Sequence, residues 1–369
     1  MEAFEAAEKI AAQNDVDWDA LLSLACEEGV APLLYHAARD RGLLPSRVEQ
    51  AVRLSYLSTA GRNVDLFHRL ERVLTSLSKE GLPVMVLKGA ALVEAVYGNV
   101  ALRPMVDADL LVRESDVPAV LSILTALDYQ SCSVKGLLAR DIHTNQLMVR
   151  RPGSTQAPIE IHWALFWFPY YQEKVPMEWF WRTALPIQLG DISARVLGLE
   201  AQLLHLSGHL LHHRGSDGQY RMLWLHDVAE LIVRRGRQLD WGQLLTKAKA
   251  YDLVLPLKEV LTQVSEAWPG PIPPEVLEQV CSLCPSRNEK RAFAWLTSIS
   301  SHSMDRYALA SLAAMPDWRS QLGFLWHELL FPSVRFMQRR YGIERLPLVP
   351  LYYPYRWLSG LIRLARPRR

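Results

Sequence analysis

The chain has 369 residues, half of them hydrophobic and 22% charged, with a formal net charge of +2. That composition fits two or three packed units, and it excludes both a disordered chain and a domain-wide basic field for nucleic acid. Four cysteines are too few for a disulfide framework, and the acidic start MEAFEAAEKIAAQ lacks the apolar segment of a secretory signal. With no run near the ~18 apolar residues of a spanning helix, the expected compartment is the cytoplasm.

Residues 1–80 read as helices. WDALLSLACEEGVAPLLYHAARDRG and VEQAVRLSYLSTAGRNVDLFHRLERVLTSLSKEG carry apolar positions at three- and four-residue spacing and close at Gly42 and Gly81. The period then changes. LPVMVLKG is a β-branched run ending in glycine and reads as a buried strand, AALVEAVYG as a two-turn helix and DADLLV as a second strand. SDVPAVLSILTALDY reads as a helix with Ser115 at its N-cap. TNQLMVRR and APIEIHWAL read as two strands joined by the turn-rich PGSTQ. From Leu199 the helical period returns in EAQLLHLSGHLLHHR, YRMLWLHDVAELIVRR and DWGQLLTKAKAYDL, with proline-rich breaks at 269–274 and 347–354 and no repeat of fixed period. The expected fold class is α+β: a small mixed-sheet core over 81–197, flanked by an N-terminal helical region (1–80) and a C-terminal helical domain (198–369).

Strand alternation places Asp107 and Asp109 on one face of DADLLV, with Cα atoms ~6.5–7 Å apart. It also places Glu160 and His162 together on the face of IEIHW opposite Ile159, Ile161 and Trp163. Carboxylates this close repel unless a cation, a basic side chain or solvent lies between them. Phosphoryl and nucleotidyl transfer uses such a set, because hard divalent cations take one or two carboxylates together with phosphate oxygens. The turn after the first strand, at Lys88 and Gly89, would let backbone N–H groups approach a phosphate.

The succession strand–Gly–helix, then DADLLV, then a later strand-borne Glu160, resembles the polymerase-beta-like nucleotidyltransferase superfamily. More closely, LKGAAL, Arg103, DADLLV, IEIHW, EAQLLHLSGHLLHH with LHDVAELI, and the late LFPS and RRYG resemble the bacterial family described only as uncharacterised nucleotidyltransferases. The resemblance covers most of the chain. It implies transfer of a nucleoside monophosphate from an NTP such as ATP to a small-molecule, peptide or glycan acceptor in a biosynthetic pathway. It also implies two magnesium ions, with manganese as an alternative. Carried over by position, Asp107, Asp109 and Glu160 are the catalytic and metal-binding acids, and Lys88, Gly89 and Arg103 are the phosphate and nucleotide contacts. His162, His209 and Asp227 would shape the acceptor pocket. Where the wider superfamily has a serine beside the glycine, this chain has Ala90 and Ala91, so the alternative reading is a non-catalytic nucleotide-sensing or scaffold protein of the same fold.

Other features carry competing readings. His205, His209, His212 and His213 recur on one predicted helix, as a site wall, as a metal site completed by Asp227, or as a polar stripe between helices. Cys281 and Cys284 form a single CxxC, read as two buried thiols, since no second pair completes a zinc site. Tyr97 and the Trp-rich HWALFWFPYYQEKVPMEWFW could stack on a base, but packing is the expected role of most of those rings. The C-terminal YYPYRWLSGLIRLARPRR is either a basic amphipathic segment for peripheral membrane contact or a last helix laying its apolar side on the core. The second reading is the expectation.

Overall fold

The computed structural model describes residues 2–11, 16–131, 145–190, 192–214, 218–268, 270–298, 312, 317–332, 334–343 and 345–365. The chain opens with helices α1 (Glu2–Ala11), α2 (Trp18–Glu27), α3 (Ala31–Ala38) and α4 (Ser46–Lys79). Along α4, Leu66, Leu70, Val73, Leu74 and Leu77 are buried at three- and four-residue spacing, so a single stripe faces the protein interior. Gly81 then takes a left-handed conformation (φ 67°) and turns the chain into the sheet.

Seven strands form one sheet among the described residues: β1 (Val84–Leu87), β2 (Ala108–Val112), β3 (Gln130–Ser131), β4 (Gln146–Arg150), β5 (Ile159–His162), β6 (Leu185–Leu189) and β7 (Ile192–Val196). Their lateral order is β3-β4-β5-β2-β1-β7-β6. The sheet is mixed: β2 runs antiparallel to β1 and parallel to β5, and β1 runs parallel to β7. The expected α+β architecture with helical regions on both sides is therefore the observed one.

Alternation divides the sheet between two cores. Val86, Leu110, Val112, Ile159 and Ile161 pack with α4 and with Val120 and Leu124 of α6 (Val117–Ala126). Met85, Leu87 and Leu111 point the other way, into a larger core with α7 (Pro169–Lys174), α8 (Met177–Arg182), α9 (Leu199–His212), α10 (Met222–Arg235), α11 (Trp241–Ala250) and α12 (Val254–Ala267). Asp109 shares the parity of Leu87 and Leu111, and Glu160 and His162 are out of phase with Ile159 and Ile161. The acids thus face the α9–α10 side.

Several local expectations change. β2 begins at Ala108, so Asp107 sits in the loop just before it. The helix expected to be N-capped by Ser115 starts at Val117, after a 3-10 turn over Glu114–Asp116. Ser115 hydroxyl donates to the Asp116 side chain instead of capping, and Pro118 occupies the first turn. Strand β3 and the β6–β7 hairpin were not expected. Both hairpin strands are half-exposed and one carries Pro186, which weakens the strand pattern. Cys281 and Cys284 are exposed free thiols rather than buried ones, because the helix holding Cys281 ends at Ser282; Cys132 lies outside the described residues.

Candidate active site

The site grows from the junction of β1, β2 and β5. At the end of β1, Lys88 adopts φ +46°, a left-handed conformation that costs a residue with a Cβ ~1–2 kcal/mol. That turn starts α5 (Lys88–Leu92), which continues as a π-helical turn over Val93–Tyr97. The unusual φ therefore falls on the lysine and not on Gly89. Gly89 is needed for a different reason: a Cβ there would overlap the Arg103 guanidinium.

Parallel pairing of β2 with β5 sets Asp109 opposite Glu160 and Leu111 opposite His162. Asp109 Oδ1 accepts from Lys88 Nζ at 2.7 Å and lies 2.8 Å from His162 Nε2. Glu160 Oε2 accepts from Gln146 Nε2 at 2.9 Å and lies 3.5 Å from the same His162 nitrogen. Asp109, Glu160 and His162 offer donor atoms within 4.8 Å of one another, a buried group able to hold a metal ion. His162 Nδ1 is buried without a hydrogen-bond partner among the described residues.

The charges in this corner are unequal. Burial would raise the Asp109 pKa, but Lys88 and then His162 outweigh it and hold the carboxyl below the ordinary carboxylate range. Asp107 is pushed up to about 6, first by burial and then by the anions of Asp109 and Glu160, with Lys88 and Arg103 pulling the other way. The acids thus carry repulsion that one lysine does not cancel. That excess, presented by carboxylate oxygens, suits a hard divalent cation.

Arg103 stands behind this corner. Its Nε lies 2.8 and 3.0 Å from the two Asp227 oxygens, and its Nη2 lies 2.7 Å from Oδ2. Both residues are buried. Asp227 Oδ1 also accepts from Tyr97 hydroxyl at 2.8 Å, and that hydroxyl lies 2.9 Å from His226 Nδ1. The backbone of the Arg103 segment is clamped by buried Asn63 of α4, whose Nδ2 donates to Val100 O and Arg103 O. Arg103 thus lies at the cleft edge with much of its fork engaged by Asp227, and Asp227 is beneath the cleft rather than lining it.

The cleft holds about 520 Å³ and is lined by Lys88, Gly89, Arg103, Asp107, Asp109, Gln146, Glu160 and His162 on one side. On the other side stand Phe166, Trp167, Gly208, His209, His212, His213, Arg221 and Trp224. The rings of this second wall form a rank: Trp167–His212 at 4.2 Å, His212–His213 at 4.6 Å and His213–Trp224 at 4.8 Å between centroids. Burial, then nearby charges, depresses the imidazoles: His205 and His212 to about 3, His213 to about 4 and His209 well below its usual value. They are neutral at pH 7. None of them joins the metal-capable group, and Asp227, read from the sequence as completing a histidine metal site, is held by Arg103 instead. Gln146, Arg221 and Trp224 are not singled out by the sequence, and Trp167 enters only within the Trp-rich segment whose rings are mostly expected to pack. No local pattern marks them, since each reaches the cleft only through packing.

The family model described as uncharacterised nucleotidyltransferase matches residues 14–269. The chain belongs to that family. This match spans α2–α4, the sheet and α9–α12, and so includes every residue of the cleft. A search among curated proteins gives no match. Among the described residues of this family member, no helix is long and apolar enough to cross a membrane.

Proposed function

We propose that the protein transfers a nucleoside monophosphate from an NTP to a small-molecule, peptide or glycan acceptor. The observation that carries this reading is the register of β2 against β5, which sets Asp109 beside Glu160 in one cleft with Lys88 and Asp107. Asp107, Asp109 and Glu160 would hold the divalent cations, magnesium or manganese, which neutralise the triphosphate and the departing pyrophosphate. Lys88 orients Asp109 and, on releasing it, is in reach of a phosphate oxygen. Glu160, steadied by Gln146, takes the proton of the acceptor hydroxyl. The acceptor oxygen bonds to the α-phosphorus as the bond from that phosphorus to the bridging oxygen breaks, and pyrophosphate leaves. The neutral ring rank across the cleft offers a planar group, base or acceptor, a stacking surface without a charge penalty.

A second reading, nucleotide binding without turnover, draws on the Lys88–Asp109 pair and on Ala90 and Ala91 in the turn. One assay series separates the two. Each NTP is incubated with protein and magnesium, and pyrophosphate release is followed with water or candidate hydroxyl compounds as acceptors, alongside metal-dependent thermal shift. Transfer predicts release that Asp109→Asn or Glu160→Gln lowers by about 100-fold or more. Shift without release supports binding alone. NTP binding indifferent to metal and to both substitutions sinks both readings.

A further inference from the structure

The charge of the chain is unevenly distributed. Residues 318–369 hold ten arginines, no lysine and two acids, a net +8 in a chain whose total is +2, which leaves −6 on residues 1–317. This basic segment lies beyond the stretch matched by the family model, and it builds a small core of its own from Met337, Ile343 and Val349 with Tyr341, Tyr352 and Tyr353 against it. Two hydrogen bonds close that core: Trp357 Nε1 to Leu330 O and Tyr353 hydroxyl to Pro332 O, both 2.8 Å.

The last helix, Val349–Ala365, therefore does not lay all of its apolar residues on the protein. With Val349, Tyr352 and Tyr353 used inward, Leu351 (69% exposed), Tyr355 (59%) and Leu358 (60%) form a stripe on the solvent side, spaced four and three residues apart. Leu346 and Leu348 are exposed just before it. Trp318, Leu322 and Trp326 are also exposed, and Trp326 is joined to the last helix through Phe331, whose ring lies 4.7 Å from Trp326 and 5.5 Å from Trp357. Exposed Arg319 and Arg345 belong to the same segment, with Arg319 over the Trp318 ring.

We propose that this face docks on an anionic phospholipid surface, its leucines and aromatic rings entering the headgroup boundary and its arginines meeting the lipid phosphates. Three features select this occupant. Leucine and Tyr on one side of a helix, with exposed Trp and arginine elsewhere in the same segment, is the pattern of interfacial anchors, in which apolar insertion and charge act as two signals. A second copy docking through the same face would bring the same +8 and be repelled. Nucleic acid would leave the leucine stripe unburied. No described helix is long and apolar enough to span a membrane, so the contact is peripheral.

The test is cosedimentation of the full chain with vesicles of phosphatidylglycerol and phosphatidylcholine, against vesicles of phosphatidylcholine alone. Anionic vesicles should bind the protein at least tenfold more tightly, and raising the salt should release it. Leu351→Glu with Leu358→Glu should lower binding at least tenfold with an unchanged melting temperature, because both positions are exposed. Arg319→Gln with Arg345→Gln should weaken binding to anionic vesicles. Equal binding to both vesicle types, no binding, or binding unmoved by the leucine pair would overturn the proposal. So would a dimer in light scattering that the leucine pair dissolves, or retention on a DNA duplex without vesicle binding.

Discussion

Arg103 fills the space that a side chain at residue 89 would need, and its far edge is fastened to Asp227 by three contacts of 2.7 to 3.0 Å. The glycine of the turn after β1 and the arginine of the loop before β2 are therefore one packing unit. Gly89→Ala should push the guanidinium off Asp227 and leave a buried carboxylate short of its partner, at about 2–4 kcal/mol. In an Arg103→Ala background, adding Gly89→Ala should cost under about 1 kcal/mol, because only the flexible Met105 side chain, 3.1 Å from the new Cβ, is then close. Urea unfolding of the four proteins checks this; additive costs would refute the shared unit.

Lys88 bears two loads, its left-handed backbone and its ammonium on Asp109. Lys88→Ala keeps the backbone cost and loses the charge, whereas Lys88→Gly loses both. The glycine variant should be more stable than the alanine variant by about 1 kcal/mol, and under the proposed function both should weaken NTP binding. Thermal melts and nucleotide titration together read the two effects, and equal stability of the variants would remove the backbone argument.

Asp107 is held at about 6 in the fold, above its usual 3.8. The folded state then binds this proton more tightly than the unfolded chain. Its stabilising contribution is full below pH 3.8 and is lost as pH rises through 6. Asp107→Asn should accordingly raise the melting temperature at pH 8 without divalent ions, bring no gain near pH 4, and weaken the magnesium-dependent thermal shift that the proposed function expects. A variant less stable than the wild type at pH 8 would contradict the repulsion described here.

Away from the cleft, buried Glu289 Oε1 accepts from Leu255 N–H at 2.6 Å, while its Oε2 is without a hydrogen-bond partner among the described residues. Its pKa is pushed up to about 7, by burial above all and also by Asp252, which itself accepts from Tyr170 hydroxyl. The sign is again that of a raised carboxyl: stability is full below pH 4.5 and declines as pH climbs through 7. Between pH 5.5 and 8 this group should cost on the order of 1–2 kcal/mol, and Glu289→Gln should flatten that part of the stability–pH curve. Denaturant midpoints across the range decide it.

What the sequence determined by itself was whatever depends on neighbours in the chain. Short apolar runs define β1, β2 and β5, alternation sets Glu160 and His162 against Ile159 and Ile161, and the helical period persists through α9 and α10. Tertiary structure alone decided who meets whom. Asp109 faces Glu160 only because β5 returns to lie parallel beside β2, and Arg103 meets Asp227 across 124 residues. The same holds for the Trp167–Trp224 wall and for the purpose of Gly89, read as a turn and found to be a point of close approach. Periodicity records which way a side chain points. The partner it reaches is set by how distant segments close against one another, and that leaves no mark at short range.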